Sequence, residues 1–290
     1  MNVFLLGAGK PATGKKPAAL KTIALNTKAL DWQIHSFEQV REAQIHFLGG
    51  YHVEEVIESY PHLLYTVIPD WEEHSVLHTL LNAPFSKSAA IVAYADTIFR
   101  KEAITNLCKH KADIVFGVDR AWQQRYQSRS VTDQAAAETV NLGEYDSEGI
   151  AEFTGLIRFA PHVVEYLTSL NEALVGTGLP DLLRHLKKQG FSTKAVAVDN
   201  HWAEFNSPVD IAHFILGTKA ETLARLEQVV QHSHIGRQVT FCSSQWNTSQ
   251  ETILDEIQQA FHGAALIVRS SAKGEDNWEF SNAGGFESHL

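Results

Sequence analysis

Short apolar runs that alternate with amphipathic segments constrain this 290-residue chain more than any other feature of its sequence. The apolar runs predict strands at Asn2–Leu6, Gln44–Leu48, Leu64–Ile68, Ala89–Ala95 and Ala112–Val118. The segments between them predict helices at Leu30–Val40, Val53–Tyr60, Ser75–Leu81 and Lys101–Lys109. Strands alternating with helices pair in parallel through crossovers, so we expect an α/β fold with a doubly wound, mostly parallel sheet. Such sheets bind ligands beyond the C-terminal ends of their strands.

The pattern loosens after the first five strands and then returns. Residues 123–153 are polar and irregular, which indicates a flap or insertion. Strands are next predicted at Gly155–Phe159 and Thr193–Val198, and helices at His162–Leu170, Leu179–Gln189 and Pro208–Leu216. We therefore expect one domain over residues 1–218. Residues 219–290 are expected to form a linker helix and a short α+β piece, with strands at Gln238–Phe241 and Ala264–Val268 and a helix near Gln250–Phe261.

Composition excludes several functional classes. The formal net charge of −10 argues against a general nucleic-acid binder, which needs clustered basic residues, but it leaves room for a local phosphate pocket. The two cysteines, Cys108 and Cys242, lie far apart and outside any metal-binding spacing, as expected in a reducing compartment. The sequence lacks signal-peptide features and a long apolar run, so we expect a cytoplasmic protein without a membrane partner.

The loop after the first predicted strand combines glycines with basic residues. It reads Gly7-Ala8-Gly9-Lys10-Pro11-Ala12-Thr13-Gly14-Lys15-Lys16-Pro17. Glycines directly after a strand let the backbone approach a ligand and point N–H groups at anionic oxygens. Three lysines add positive charge in an otherwise acidic chain, so the loop predicts phosphate binding.

A dinucleotide-binding site is the alternative interpretation of this loop. Gly7-x-Gly9-x-x-Ala12 matches the GxGxxG/A pattern, and Asp31 lies about where a ribose-binding acid is expected. That fingerprint needs a helix that begins inside the glycine motif. Two prolines and a further glycine interrupt the stretch here, which favours a long triphosphate-binding loop.

The loop also resembles the signature of the sugar-nucleotidyltransferase-like family, which includes phosphocholine and sugar-phosphate cytidylyltransferases. The resemblance rests on Gly7-Ala8-Gly9-Lys10 and Lys16-Pro17-Ala18-Ala19-Leu20, and Pro69-Asp70-Trp71 resembles the family's nucleotide-facing loop. The family's Thr-Arg pair is missing, and Ala18 replaces its usual lysine, whose charge Lys16, Lys15 or Lys21 would supply. The resemblance implies that Lys16, Lys10 and Asp96 are catalytic. It implies nucleotide binding by Leu6, Gly7, Ala8, Gly9, Lys10, Lys16, Asp70, Ser75 and Asp96.

A magnesium site is implied by two further segments that resemble this family. Tyr94-Ala95-Asp96 ends a predicted strand and resembles the Gly-Asp whose carboxylate holds the catalytic Mg²⁺. Trp202-Ala203-Glu204-Phe205-Asn206 resembles the segment that supplies the second ligand, which here is Asn206. Magnesium prefers hard oxygen ligands and often takes only one or two from the protein. An aspartate that caps the next helix is the alternative for Asp96.

A binding site for a phosphorylated acceptor is implied by two segments, residues 118–129 and 152–156. Both resemble stretches of phosphocholine cytidylyltransferases. The implied acceptor-binding residues are Trp122, Arg129, Glu152, Trp202 and Glu204. With Tyr126, the two tryptophans would form an aromatic wall suited to a cationic acceptor. Ordinary core packing of these aromatics is an equally open interpretation.

The C-terminal residues resemble a second family. Leu266-Ile267-Val268-Arg269-Ser270-Ser271 and the later Ala283-Gly284-Gly285 resemble the ATP-binding start of phosphoenolpyruvate synthase and pyruvate phosphate dikinase, which is an ATP-grasp fold. That family needs a couple of hundred further residues. The resemblance therefore implies a kinase domain in the same, longer polypeptide.

These features together predict a magnesium-dependent nucleotidyltransferase. The resemblance favours CTP over another triphosphate. The pairing with a kinase resembles enzymes that make and activate phosphoglutamine for capsular phosphoramidate groups, so phosphoglutamine is the favoured small phosphorylated acceptor. Phosphocholine and a sugar phosphate are the alternatives. A dinucleotide-dependent oxidoreductase and a non-catalytic nucleotide sensor are more distant ones.

Overall fold

The structure, a computed structural model, divides the chain into two compact units. It describes residues 1–12, 14–24, 26–126, 131–135, 137–145, 147–205, 208–227, 230–241, 243–269 and 288–289. The units are Met1–Asp210 and Ile211–Leu290. The division falls at Asp210, ahead of the predicted boundary at residue 218.

The first unit is built on one sheet whose strands follow the predicted apolar runs. The described strands are β1 (Asn2–Gly7), β2 (Thr22–Ala24), β3 (Thr27–Lys28), β4 (Gln44–Gly49), β5 (Leu64–Val67), β6 (Ala90–Tyr94), β7 (Thr97–Phe99), β8 (Ile114–Asp119), β9 (Thr139–Asn141), β10 (Ile150–Phe159), β11 (Thr193–Ala197), β12 (Trp202–Glu204), β13 (Val268–Arg269) and β14 (Ser288–His289). The main sheet runs β11-β8-β10-β6-β1-β4-β5, with β9 paired to β10. Only β10 and β9 introduce antiparallel pairs into it among the described strands, so the prediction of a mostly parallel sheet is confirmed.

Helices cover both faces of this sheet. The described helices are α1 (Ala29–Phe37), α2 (Val53–Ser59), α3 (Val76–Leu81), α4 (Lys101–Lys109), α5 (Trp122–Arg125), α6 (Val131–Ala135), α7 (Pro161–Leu167), α8 (Leu179–Lys188), α9 (Pro208–Leu216), α10 (Lys219–Leu226) and α11 (Ser243–Phe261). Successive residues of β1 point to opposite faces, as in any strand. Phe4 packs in a core with α3, α7 and α8, whereas Leu5 packs in a second core with α1, α2 and α4. The doubly wound arrangement is therefore confirmed.

The structure differs from the sequence prediction in its short elements. The flap contains α5, α6 and β9, and β10 begins at Ile150 instead of Gly155, because its first residues pair with β9. The hairpin of β2 with β3 and the pair of β7 with β12 were not predicted, since two- and three-residue strands carry little periodicity. The predicted strand at Gln238–Phe241 is wrong: these residues are neither helix nor strand.

The second unit is mainly helical in its described part. Helix α10 begins with a capping box, in which the Thr218 side chain and the Glu221 backbone and carboxylate bond reciprocally. Helix α11 is interrupted at Ser249, which has a non-helical φ of −146°. Most of the proposed ATP-binding motif, residues 270–287, lies outside the described residues, so its assignment stays a prediction. No helix in the described ranges has the length and apolar character needed to cross a bilayer.

Candidate nucleotide and phosphate site

The glycine loop is held against the ends of three neighbouring strands. The Ala95 N–H donates to the Leu6 carbonyl at 2.9 Å, and the Tyr51 N–H donates to the Ala8 carbonyl at 2.8 Å. A Cβ at Gly7 would lie 2.4 Å from Cζ of Phe47, so a side chain there would displace the Phe47 ring. At Gly9 a Cβ meets nothing within 4 Å, so the backbone there borders open space.

A cavity of about 280 Å³ opens beyond this end of the sheet. Its lining comes from the glycine loop, the loop before α3, the end of β6 and the flap. The lining residues used below are Leu6, Gly7, Ala8, Gly9, Lys10, Trp71, His74, Ser75, Tyr94, Asp96 and Glu138. Seven residues predicted to bind nucleotide are therefore brought together: Leu6, Gly7, Ala8, Gly9, Lys10, Ser75 and Asp96.

A second cavity of about 290 Å³ adjoins the first and is lined by lysines. Lys15, Lys16 and Lys21 border it, as does Asp96. The Lys21 ammonium donates to the Phe205 carbonyl at 3.0 Å. The ammonium groups of Lys15 and Lys16 make no hydrogen bond or ion pair with any described residue. Two positive charges therefore remain available for an anionic ligand in this cavity.

Asp96 lies where the two cavities meet, directly after β6. Burial and the nearby Glu204 carboxylate raise the pKa of Asp96 to about 6. Glu204 is brought there by β12, which pairs with β7 so that Glu204 lies opposite Thr97. The Phe205 N–H donates to the Asp96 carbonyl at 3.0 Å, which fixes the chain just before position 206. Asn206 itself lies outside the described residues.

The acidic groups at this position fit a divalent cation. A buried carboxylate whose pKa is raised by a neighbouring negative charge gains stability when a cation neutralises it. In the described part of the chain no set of three or more His, Cys, Asp or Glu residues is arranged to hold a metal ion. Mg²⁺ needs no such set, since it commonly binds one or two protein oxygens and keeps water or phosphate as its other ligands. Asp96 is therefore the best-placed described ligand.

The loop before α3 contributes one residue of the predicted set, Ser75, and two residues outside it, Trp71 and His74. Ser75 lines the first cavity and caps α3, because its hydroxyl oxygen accepts from the His78 N–H at 3.0 Å. Asp70 is exposed, with a left-handed φ of 53°, and does not line either cavity. Trp71 and His74 line the cavity instead. Asp70 therefore lies outside the lining of both cavities, and its contact with a nucleotide stays a prediction.

The predicted acceptor residues Glu152 and Trp202 lie together in a buried network around Arg125. Its guanidinium forms ion pairs with Asp119 at 3.1 Å, with Asp210 at 3.2 Å and with Glu152. The Tyr126 hydroxyl donates to Glu152 at 2.5 Å. Neither Glu152 nor Trp202 lines either cavity, and Arg129 lies outside the described residues. Sequence reasoning did not identify Arg125 as the centre of this network.

The aromatic wall suggested by Trp122, Tyr126 and Trp202 is largely occupied by the protein itself. The Arg125 guanidinium lies 4.0 Å from the Trp202 ring centroid and 5.7 Å from that of Tyr126. The Trp122 indole N–H donates to the Ile150 carbonyl at 3.3 Å. A cationic acceptor would have to displace Arg125 from three carboxylates in order to use the Trp202 face.

This network predicts a pH-dependent contribution to stability. Burial raises the pKa of Glu152 to about 7, although Arg125 and Tyr126 oppose the shift. Because the folded-state pKa lies above the unfolded one, the folded protein binds the extra proton, and stability from this group is lost as pH rises through about 7. We expect Glu152→Gln to abolish this pH-dependent decrease in the free energy of unfolding, which is at most about 3 kcal/mol. Urea unfolding of both proteins between pH 5 and 8 measures it; parallel pH curves would contradict the expectation.

The acid proposed for a dinucleotide ribose is engaged elsewhere. The Asp31 carboxylate accepts from the Lys28 N–H at 2.7 Å and from the Tyr60 hydroxyl at 2.7 Å. The described residues from 8 to 17 contain no helix, and α1 begins only at Ala29, after the β2–β3 hairpin. The helix N-terminus on which a dinucleotide pyrophosphate rests is therefore absent from this loop in its described part.

Comparison with known proteins defines the fold. No family model and no curated protein matches the sequence. The inositol-1-phosphate CTP transferase of T. maritima is similar in structure, with a TM-score of 0.54 and 16% identity over 74% of this chain and 96% of that one. A candidate glucose-1-phosphate thymidylyltransferase from Bacillus anthracis has a TM-score of 0.53 and 14% identity over 81% and 97%. HddC from Yersinia pseudotuberculosis has a TM-score of 0.51 and 15% identity over 73% and 96%.

These similarities show that the chain shares its mixed α/β fold, with a central and mostly parallel sheet, with these proteins. At such low identity the likeness extends to the fold alone, so the activity has to be argued from the cavities and their lining.

Proposed function

We propose that the protein is a magnesium-dependent nucleotidyltransferase that couples CTP to a small phosphorylated acceptor and releases pyrophosphate. The observation that carries this proposal is the meeting of two cavities at Asp96. One is bordered by the glycine loop, and the other by Lys15 and Lys16, whose ammonium groups have no partner among the described residues. The fold agrees with it, since the similar T. maritima protein is a CTP transferase. We infer CTP, and not another triphosphate, from that likeness and from the sequence resemblance.

The reaction requires the protein mainly to position the two reactants and to neutralise their negative charge. An acceptor phosphate oxygen forms a bond to the α-phosphorus of CTP, while the bond from that phosphorus to the bridging oxygen of pyrophosphate breaks. The attacking phosphate is already anionic, so no side chain has to remove a proton from it. Lys10, Lys15 and Lys16 place positive charge where the departing pyrophosphate becomes more negative.

Asp96 and Asn206 are the proposed magnesium ligands. Bound there, Mg²⁺ would neutralise charge on the α-phosphate oxygens. The raised pKa of Asp96 means that its carboxylate must lose a proton before it ligates a metal below about pH 6. Glu204 stays close to Asp96 and adds negative charge to the same position.

We predict that Asn206→Asp preserves or tightens magnesium binding, because the change adds a negative charge at a ligand position. The apparent Mg²⁺ dissociation constant should stay equal or fall, and Asn206→Ala should raise it about tenfold. Magnesium titration of pyrophosphate release, with Asn171→Asp as a remote control on the same chain, measures the effect. If neither change at position 206 alters the apparent Mg²⁺ dissociation constant, Asn206 is not a ligand of the metal.

Phosphoglutamine is the acceptor that we favour, with phosphocholine or a sugar phosphate as the alternative. Phosphocholine carries a quaternary ammonium group, for which an aromatic face is the usual partner. The Trp202 face is already covered by Arg125, which supports an acceptor without that requirement.

Phosphorus NMR of reaction mixtures tests the proposal. The enzyme is supplied with CTP, Mg²⁺ and one acceptor at a time from phosphoglutamine, phosphocholine and glucose 1-phosphate. With phosphoglutamine we expect free pyrophosphate and a new cytidine diphosphate conjugate, in which the second phosphate remains bonded to the amide nitrogen of glutamine. Turnover with only phosphocholine or the sugar phosphate would contradict the choice of phosphoglutamine as acceptor. It would still support the proposed nucleotidyltransferase activity.

A further inference from the structure

The Glu138 carboxylate lines the first cavity, and none of the steps above uses it. The Tyr94 hydroxyl donates to its Oε2 at 2.8 Å. Its Oε1 makes no hydrogen bond or ion pair with any residue in the described ranges. One carboxylate oxygen is thus held by the protein, and the other is left for a group in the cavity.

Glu138 is fixed in place by its backbone as well as by its side chain. Its carbonyl accepts from the Phe153 N–H at 2.7 Å, which ties this part of the flap to β10. The Tyr94 ring is equally constrained: it packs edge-on to Phe153, with centroids 6.0 Å apart, and a Cβ at Gly155 would lie 2.4 Å from it. The carboxylate is therefore positioned by the sheet, as a ligand-binding group should be.

The surroundings of Glu138 favour a positively charged donor over a neutral one. Burial raises the pKa of Glu138 and the Tyr94 hydrogen bond lowers it, while Asp96 and Glu204 raise it further. These carboxylates make the local potential negative, so an ammonium gains more here than a hydroxyl does. These carboxylates would repel a phosphate, whereas Lys15 and Lys16, whose ammonium groups have no partner among the described residues, border the second cavity.

We propose that Glu138 binds the acceptor and that the acceptor carries a primary ammonium group, which donates to Oε1. The inference rests on the proposed function and narrows its acceptor to amine-bearing phosphates, a class that contains phosphoglutamine. The acceptor phosphate lies toward the lysines and Asp96, and its ammonium lies toward the flap. A quaternary ammonium has no N–H to donate, so phosphocholine is a poor fit to Glu138.

The test compares matched acceptors with and without the amine. Phosphoethanolamine and ethyl phosphate differ only by the ammonium, and both are assayed with CTP and Mg²⁺. We expect the wild-type enzyme to prefer phosphoethanolamine, and Glu138→Gln to raise its KM about 30-fold, the effect of losing a charge-assisted hydrogen bond. The KM values for ethyl phosphate and CTP should change less than threefold. Glu144→Gln, on the exposed part of the same flap, is the control and should change none of them.

A second variant separates loss of the carboxylate from loss of the fold. Tyr94→Phe keeps Glu138 but releases Oε2, and it should raise the phosphoethanolamine KM severalfold. Equilibrium binding of CTP to each variant shows whether the nucleotide site is intact. Retained CTP affinity together with the selective KM change supports the inference.

Four results would overturn the inference, and the last of them would overturn the proposed function as well. Equal losses for both acceptors would mean that Glu138 supports the site without binding the amine. A rise confined to the KM for CTP would assign Glu138 to the nucleotide ribose. If cytidylyl transfer occurs to sugar phosphates alone and Glu138→Gln does not affect it, the inference is wrong but the proposed function stands. If no acceptor supports pyrophosphate release, both the inference and the proposed function are wrong.

Discussion

Replacement of Asp96 by alanine is expected to lower turnover by about 10³-fold or more while the protein stays folded. Asp96 borders both cavities and is the proposed ligand of Mg²⁺. Its carboxylate is destabilised by burial and by Glu204, which is why its pKa lies near 6. Removing it should therefore cost no folding stability at neutral pH, and could increase it.

The measurement is kcat at saturating CTP and Mg²⁺, alongside the thermal unfolding midpoint. Asp255→Ala, at an exposed position of α11, is the matched control and should retain full activity. Asp96→Asn tests charge separately from shape and should be nearly as inactive as the alanine variant. A rate within threefold of the wild type for Asp96→Ala would remove Asp96 from the metal site.

Replacement of Lys16 by alanine is expected to cost about 10²-fold in kcat, against only a few-fold for Lys15→Ala. Both side chains border the second cavity and neither has a described partner, so the two variants are closely matched. Lys16 directly precedes Pro17, whose φ of −46° fixes the chain as it enters the Ala18–Leu20 turn. The resemblance places the family's conserved basic residue in this part of the loop.

The distinction between the lysines is measured by steady-state kinetics at several CTP concentrations. A charge that acts on the departing pyrophosphate lowers kcat, whereas a charge that only holds the triphosphate raises KM. Lys111→Ala, outside both cavities, controls for the general loss of positive charge. Equal, mild losses of kcat for Lys15→Ala and Lys16→Ala would mean that Lys10 or Lys21 supplies the positive charge that acts on the departing pyrophosphate.

The fold was predictable because its main strands are long apolar runs. Residues such as Phe4 and Leu5 are both fully buried, on opposite faces, which is the pattern of a central strand covered by helices. The short pair of β7 with β12 was not predictable in the same way. It nevertheless brings Glu204 to Asp96, and only the resemblance of residues 202–206 to a family segment indicated this.

The candidate site was predicted where its residues are adjacent in sequence and missed where they are not. The glycine loop and Asp96 follow strands directly, so their position is a consequence of the topology. Glu138 comes from a polar stretch without periodicity, and its hydrogen bond with Tyr94 spans 44 residues. Arg125 likewise collects carboxylates from three distant segments. A glutamate or arginine in a polar stretch is usually solvated, so the sequence alone does not predict the partners that hold these two side chains.

Acceptor-dependent release of pyrophosphate is the most direct test of nucleotidyltransferase activity. The full chain is incubated with each of four nucleoside triphosphates, with and without Mg²⁺. Each mixture contains either no acceptor or one acceptor from phosphoglutamine, phosphocholine and glucose 1-phosphate, and pyrophosphate is assayed. We expect release from CTP only when both acceptor and Mg²⁺ are present, and none from Asp96→Ala. If the folded protein binds CTP but releases no pyrophosphate from any triphosphate, whichever phosphorylated acceptor is present, the proposed activity is contradicted.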